Sequence, residues 1–315
     1  IEVINDHSAK IKLGEQVFEL EFGKLSPILS IEFKIGWLVS VKAVTRLILT
    51  QIHPDLRLYF LPLQIHPLKP LWRYGSPGKF VQNAYTKTGP FLTLGWPQDT
   101  IGLEDGCIND DQFLDLCQQI FAARKRVLLS QLTDFSEGLL AAVFDSLDRI
   151  QHMFWRDHPE VIDRWYRMLD ELVGEVYAHV NRDSARPTRF LVVSDHGFNR
   201  FDYKIHLNRW LQQEGLLDAG ADLASPNLHP VNWQKTSAYA VGLNSLYLNL
   251  SGREGQGSVE PAAIPHLEQT IIDRLLSWRG PDGSSVVQSV YRRREALEGS
   301  LASLGPDFLI GYAPG

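Results

Sequence analysis

Two long stretches of the chain place apolar residues three or four positions apart, which is the spacing of one face of an amphipathic helix. The first runs from Asp110 to about Leu132 and opens with an acidic pair that can cap a helix N-terminus. The second runs from about Pro159 to Val180. Each pattern predicts a long helix with one buried face.

Two shorter runs are apolar throughout and do not alternate with polar residues. They are Leu139–Phe144, which follows Gly138, and Phe190–Val193. Strands covered on both faces have this composition, and here amphipathic helices separate them. We therefore predict an α/β fold with a mostly parallel central sheet and helices on both faces. In such sheets, ligands collect at the carboxyl ends of the strands.

The first third of the chain has a different texture. Segments 28–33, 37–41 and 56–61 read as strands, and several prolines make 71–109 rich in loops. We interpret residues 1–109 as a β-rich inserted or cap segment, and residues 110–315 as an α/β core.

The last third of the chain continues this core. The pattern predicts helices at 207–213 and 261–278 and strands at 245–250 and 307–312. A loop rich in proline and asparagine at 218–234 marks an inserted segment of about 216–236.

Polar clusters follow both apolar runs, where a sheet would place its ligands. Asp148 and His152 are four residues apart, so a helix would put both on one face, where they could hold one ion. Asp195 and His196 follow the second run and could turn toward one pocket. Mixed Asp and His ligation suits Zn²⁺ or Mn²⁺. Two such half-sites suggest a two-metal centre.

Several simpler interpretations of these residues stay open. Asp148 and His152 can form an exposed polar pair, and Asp195 and His196 can cap a helix. His196 oriented by Asp195 could also do acid–base work without metal, although the chain has no Gly-x-Ser-x-Gly nucleophile turn. Asp145 is either an acceptor that orients a metal ligand or the polar end of the strand. Gly197 would supply the backbone freedom for the turn after His196.

Longer motifs resemble the type I phosphodiesterase/nucleotide pyrophosphatase branch of the alkaline phosphatase superfamily. The resemblance covers about residues 110–315. The stretches that carry it are Val143–Arg156, Ser194–Phe198, Leu207–Leu211 with Gly215–Leu217, and Ala238–Asn244 with Tyr247–Glu254. It implies an alkaline-phosphatase-like fold and hydrolysis of phosphate esters.

The resemblance also implies a set of site residues. Two zinc-type ions would be held by Asp148 with His152 and by Asp195 with His196, together with a second Asp and a later His. A Thr or Ser nucleophile would attack phosphorus and form a phospho-enzyme. The chain shows no match for the nucleophile, the second Asp or the later His, so we expect them to lie outside it. The alternative is a degenerate member that acts as a binding or structural module.

Composition and charge limit the classes of molecule that we expect the protein to bind. The 315 residues carry 31 Lys and Arg against 37 Asp and Glu, which gives no electrostatic reason to expect a nucleic acid polymer. No apolar run is long enough to span a membrane. Cys107 and Cys117 have neither metal-type nor disulfide-framework spacing, so we predict two free thiols and a cytoplasmic location. The expected partner is a small-molecule phosphate ester or nucleotide.

Overall fold

Residues 1–35, 39–182, 188–220 and 231–315 are described by the computed structural model of the chain. They divide into two compact units, which are residues 1–197 (unit 1) and residues 198–315 (unit 2). The protein is a mixed α/β structure, as predicted, with helices and several small antiparallel sheets. The division into an inserted or cap segment of residues 1–109 and a core of residues 110–315 stays a prediction.

Within the described residues, eight short strands form the first part of unit 1. They are Glu2–Asn5 (β1), Ser8–Leu13 (β2), Gln16–Glu21 (β3), Leu29–Ile35 (β4), Val39–Thr45 (β5), Leu47–Gln51 (β6), Arg57–Phe60 (β7) and Gln64–Ile65 (β8). They pair antiparallel in three sheets, with orders β1-β2-β3, β4-β5-β8 and β6-β7. The β-rich character predicted here is confirmed. Residues 37 and 38 of the predicted strand 37–41 lie outside the described residues.

Five helices follow in the part of unit 1 that the structure describes. They are Phe80–Thr88 (α1), Thr100–Glu104 (α2), Asp110–Asp134 (α3), Ser146–Phe154 (α4) and Pro159–Val180 (α5). The two long helices lie where the apolar spacing predicts them. The start of α3 is fixed by a capping box. The side-chain oxygen of Asn109 accepts from the backbone N–H of Gln112, and the side-chain oxygen of Gln112 accepts from the backbone N–H of Asn109. The short α1 and α2 lie in a region predicted as loops: α1 falls between Pro77 and Pro90, and α2 follows Pro97.

The core of unit 1 is an apolar cluster shared by α3, α4 and α5. Its largest fully buried members include Phe113 and Leu116 of α3, Ile150 of α4 and Trp165 of α5. Burying such side chains contributes roughly 1.5–3 kcal/mol each. This packing fixes the apolar face of α4, so the opposite face, which carries the candidate site, is held at a defined position.

The two predicted buried strands are corrected by the structure. Neither 139–144 nor 190–193 is a strand, and the described strands form no mostly parallel central sheet. Leu139 is 91% exposed, and Val193 is nearly as exposed. Only Leu140, Phe144 and Phe190 pack against the unit 1 core. An apolar run supplies the side chains of a buried strand, but the strand also needs a neighbour to pair its backbone, and the described residues provide none for either run.

Unit 2 is built around one antiparallel sheet. Its elements are Leu207–Gln213 (α6), Ala238–Val241 (β9), Ser245–Leu248 (β10), Ile264–Ser277 (α7), Val287–Arg292 (β11), Arg293–Ala296 (α8) and Phe308–Tyr312 (β12). The sheet order is β11-β12-β10-β9, and residues of α6 and α7 join its core. The helices and strands predicted at 207–213, 245–250, 261–278 and 307–312 are confirmed to within a few residues. Of the predicted loop, residues 221–230 lie outside the described residues.

The structure also bears on the predictions about the cysteines and about membrane-spanning segments. Cys107 and Cys117 are both free thiols, as predicted, and burial raises the pKa of the Cys117 thiol. Among the described helices, none combines the length and the apolar character that a membrane crossing requires.

The difference in burial between Leu116 and Leu139 can be tested by replacing each with alanine. Leu116→Ala empties a fully buried site and should lower the free energy of unfolding by about 2–5 kcal/mol. Leu139→Ala removes an exposed side chain and should change it by no more than about 0.5 kcal/mol. Urea denaturation of both variants measures the difference. A large loss for Leu139→Ala would show that 139–144 is buried after all.

Candidate metal-binding and catalytic site

Helix α4 places the first predicted pair on one face. Asp148 and His152 are one turn apart, and Oδ1 of Asp148 lies 3.5 Å from Nε2 of His152. The sequence predicts this contact on the condition that the segment is helical, and the helix is present. The Asp148 carboxyl is three-quarters buried, whereas about half of the His152 side chain is exposed.

The second predicted pair meets the first at Asp148. Nε2 of His196 lies 3.7 Å from Oδ1 of Asp148 and 3.7 Å from Oδ2 of Asp195. Two of the predicted ligands, His152 and His196, therefore lie next to one oxygen atom of a third, Asp148. Asp195 is at the outer end of this group, and its side chain is 90% exposed.

The two oxygens of Asp148 have different surroundings. Oδ2 accepts a hydrogen bond of 2.7 Å from Nη1 of Arg149. Oδ1 is buried and has no hydrogen-bond partner among the described residues, so the two imidazoles are its polar neighbours. A buried carboxylate oxygen without a partner is costly, and such an atom calls for an explanation.

Asp145 lies at the start of α4 and is held by two side chains. Its Oδ1 accepts from Nε2 of Gln98 at 2.8 Å and from Nη1 of Arg124 on α3. The Gln98 amide also donates to the hydroxyl of Ser146 at 3.1 Å. Asp145 thus fixes the first turn of the helix that carries Asp148. Whether it orients a metal ligand, as the sequence suggests, stays a prediction.

His196 sits in an exposed segment without regular secondary structure. Its Nδ1 lies 2.8 Å from the carbonyl oxygen of Gly197, and that hydrogen bond is the main reason why its pKa is raised. The carboxylates of Asp195 and Asp148 raise it further, while Arg149 lowers it. The predicted need for glycine at 197 is wrong: Gly197 does not take a positive φ, and a Cβ there would meet nothing within 4 Å.

These residues carry the donor atoms that a divalent ion prefers, but the described residues do not form a complete ligand shell. The described residues contain no group of three or more His, Cys, Asp or Glu side chains arranged to hold a metal ion. Metal–ligand bonds of about 2.0–2.2 Å would place ligand atoms of one tetrahedral ion roughly 3.3–3.6 Å apart. The separation of 3.5 Å between Asp148 and His152 is in that range, and the unpartnered Oδ1 is the atom an ion would need.

Sequence reasoning missed three residues that shape the site. Gln98 and Arg124 hold Asp145, and the ring of Trp96 covers the guanidinium of Arg149, whose Cζ lies 3.2 Å from the ring centre. All three are far from α4 in the sequence, and no local pattern links them to it. The only available signal was the polar and aromatic content of the stretch Trp96-Pro97-Gln98-Asp99 in a loop region.

The sequence of the chain matches the model of a known protein family. The model of the type I phosphodiesterase / nucleotide pyrophosphatase family matches residues 96–310, which is more than half of the chain. The chain therefore belongs to this family of the alkaline phosphatase superfamily, and the resemblance seen in the sequence is confirmed. The match begins at Trp96 and so includes the missed stretch. No curated protein and no solved structure matches the chain significantly.

Membership indicates a phosphoester hydrolase of the phosphodiesterase and nucleotide pyrophosphatase type, in a family that is generally metal-dependent. It also implies an alkaline-phosphatase-like fold, although the mostly parallel central sheet of that fold is not what the described strands form.

The support of α4 by Asp145 can be tested. Asp145→Asn removes the charge opposite the largely buried Arg124 and should lower the free energy of unfolding by about 1–3 kcal/mol. The matched control is Asp134→Asn, which breaks an exposed pair with Lys87 and should cost no more than about 1 kcal/mol. Equal losses in urea denaturation would contradict the assigned role.

Proposed function

We propose that the protein hydrolyses small-molecule phosphate esters or nucleotides with the help of two divalent metal ions. Asp148 and His152 would hold one ion, and Asp195 and His196 the other. The observation that supports this most is the approach of two imidazole nitrogens, at 3.5 Å and 3.7 Å, to the unpartnered Oδ1 of Asp148.

The donor set favours certain metals. Neutral imidazole and carboxylate ligands suit Zn²⁺, with Mn²⁺ as an alternative. Ions in two-metal sites lie about 3.5–4 Å apart, so the ligands of the two ions must approach one another closely. The distance of 3.7 Å between Asp148 Oδ1 and His196 Nε2 supports such neighbouring ligand sets. When bound, the ions would supply charge stabilisation for a phosphoryl group and activation of the attacking group.

The residues of the chain itself would bind and orient. Asp148 would present a single oxygen, because Arg149 occupies the other. His196 would be held in one orientation by its Nδ1 contact with the Gly197 carbonyl. The nucleophile implied by the resemblance is a Thr or Ser that we do not assign to a position. Ser194 lies next to the site, but its hydroxyl donates to the backbone carbonyl of His196.

Further parts of the proposal rest on the sequence. With a net charge of −6, the chain favours a small substrate over a nucleic acid polymer. The β-rich residues 1–109 would act as the cap that selects the leaving group. The two free thiols favour a cytoplasmic location.

A catalytically incomplete member that acts as a binding module is the second candidate. It is favoured by one observation: the hydroxyl of Ser194, two residues before His196, already donates to the backbone carbonyl of His196.

The proposal is tested by measuring metal content and turnover together. Elemental analysis of the purified protein should find Zn or Mn, and chelation should abolish turnover of bis-p-nitrophenyl phosphate until metal is restored. His152→Ala and His196→Ala should each reduce turnover by more than about 100-fold, because loss of groups that only orient ligands already costs about 10–100-fold.

His266→Ala is the matched control, since His266 is an exposed histidine of α7 in unit 2. It should leave metal content and turnover unchanged. Bound metal without turnover in the unaltered protein supports the binding module. If His196→Ala lowers neither metal content nor turnover, the assignment of the site is wrong.

A further inference from the structure

We propose that Arg149, held in place by Trp96, is a positioning residue that turns the Asp148 carboxylate so that only Oδ1 faces the two histidines. The inference rests on the proposed function, because it concerns how the same site presents its ligand. It assigns tasks to two residues that lie outside the predicted ligand set.

The contact between Asp148 and Arg149 is not one that a helix makes by itself. Residues adjacent in sequence point in different directions around a helix, so their side chains do not face each other. Here Nη1 of Arg149 nevertheless donates to Oδ2 of Asp148 at 2.7 Å. A contact from outside α4 would therefore help to keep the guanidinium in this position.

Trp96 provides that hold. The guanidinium carbon Cζ of Arg149 lies 3.2 Å from the centre of the Trp96 ring, which is a close cation–π stacking contact. Nε of Arg149 is buried and makes no hydrogen bond to the described residues, so the ring face takes the place of a polar partner. The indole itself is 52% exposed and is absent from the apolar cores. Covering Arg149 is the contact that accounts for its position.

The stretch that carries Trp96 is itself anchored to α4. Gln98, two residues further on, is almost fully buried and donates to both Asp145 and Ser146 at the start of the helix. The ring therefore has a fixed distance to the turn that carries Asp148 and Arg149. A planar guanidinium can stack and donate at the same time, which a lysine ammonium cannot do in the same way.

The consequence for ligand binding follows from the two oxygens. With Oδ2 held by Arg149, the carboxylate can offer an ion one oxygen rather than two, and its plane is fixed. Partners that orient a metal ligand in this way typically change metal affinity by about 10–100-fold. Arg149 and Trp96 thus set the affinity of the site without touching the ion.

Metal affinity of the 315-residue chain is the direct test. After chelation, the protein is titrated with Zn²⁺ or Mn²⁺ against a competing chromophoric chelator, and thermal unfolding of the metal-free form is recorded beside it. Arg149→Gln should weaken binding about 10–100-fold, with Arg149→Lys in between. Trp96→Leu should also weaken binding, and less so when Arg149→Gln is already present, because the two residues act as one unit.

Arg156→Gln is the matched control, since Arg156 is an exposed arginine just beyond α4, and it should bind as the unaltered protein does. If Asp148→Asn abolishes binding while Arg149→Gln and Trp96→Leu leave it unchanged, Arg149 is not a positioning residue although the metal site stands. If the unaltered protein binds neither ion, the proposed site fails and this inference fails with it. Should Arg149→Gln not fold, Trp96→Leu alone decides, because its ring lies at the surface.

Discussion

The Asp148 carboxylate is the interaction on which the candidate site depends. One oxygen is fixed by Arg149, and the other faces His152 and His196 without a hydrogen bond of its own. Leaving a buried carboxylate oxygen in this state costs stability unless something else meets its charge. The two imidazoles meet part of it, and a divalent ion would meet the rest. The proposed metal site would account for this unsatisfied atom.

The geometry around Asp148 is supported from behind. The apolar face of α4 is locked by Ile150 in the core shared with α3 and α5. Its first turn is tied by Asp145 to Gln98 and Arg124, and its flank is covered by Trp96 through Arg149. A site on a helix held at three places keeps its side chains more constant than a site on a free loop. His196, by contrast, reaches the site from an exposed segment.

The family and the site support each other at different levels. The family match indicates the reaction class, since it covers residues 96–310 and begins at the tryptophan that stacks on Arg149. The proposed site would give that class a physical location, because the predicted pairs Asp148/His152 and Asp195/His196 meet there. Fold alone would not allow this step, since one scaffold serves many chemistries.

Local periodicity was enough to predict α3 and α5, because helical spacing is fixed by the backbone itself. The shared face of Asp148 and His152 was predicted only on the condition that α4 forms. The sequence also carried the motifs of the family. It could not decide that 139–144 and 190–193 form no strand with any described part of the chain, since a strand depends on a neighbour elsewhere. Nor could it bring His196 to Asp148, or Trp96 and Gln98 to α4, because those contacts join residues about 50 positions apart. Such approaches are set by the packing of whole elements, and only the tertiary structure decides them.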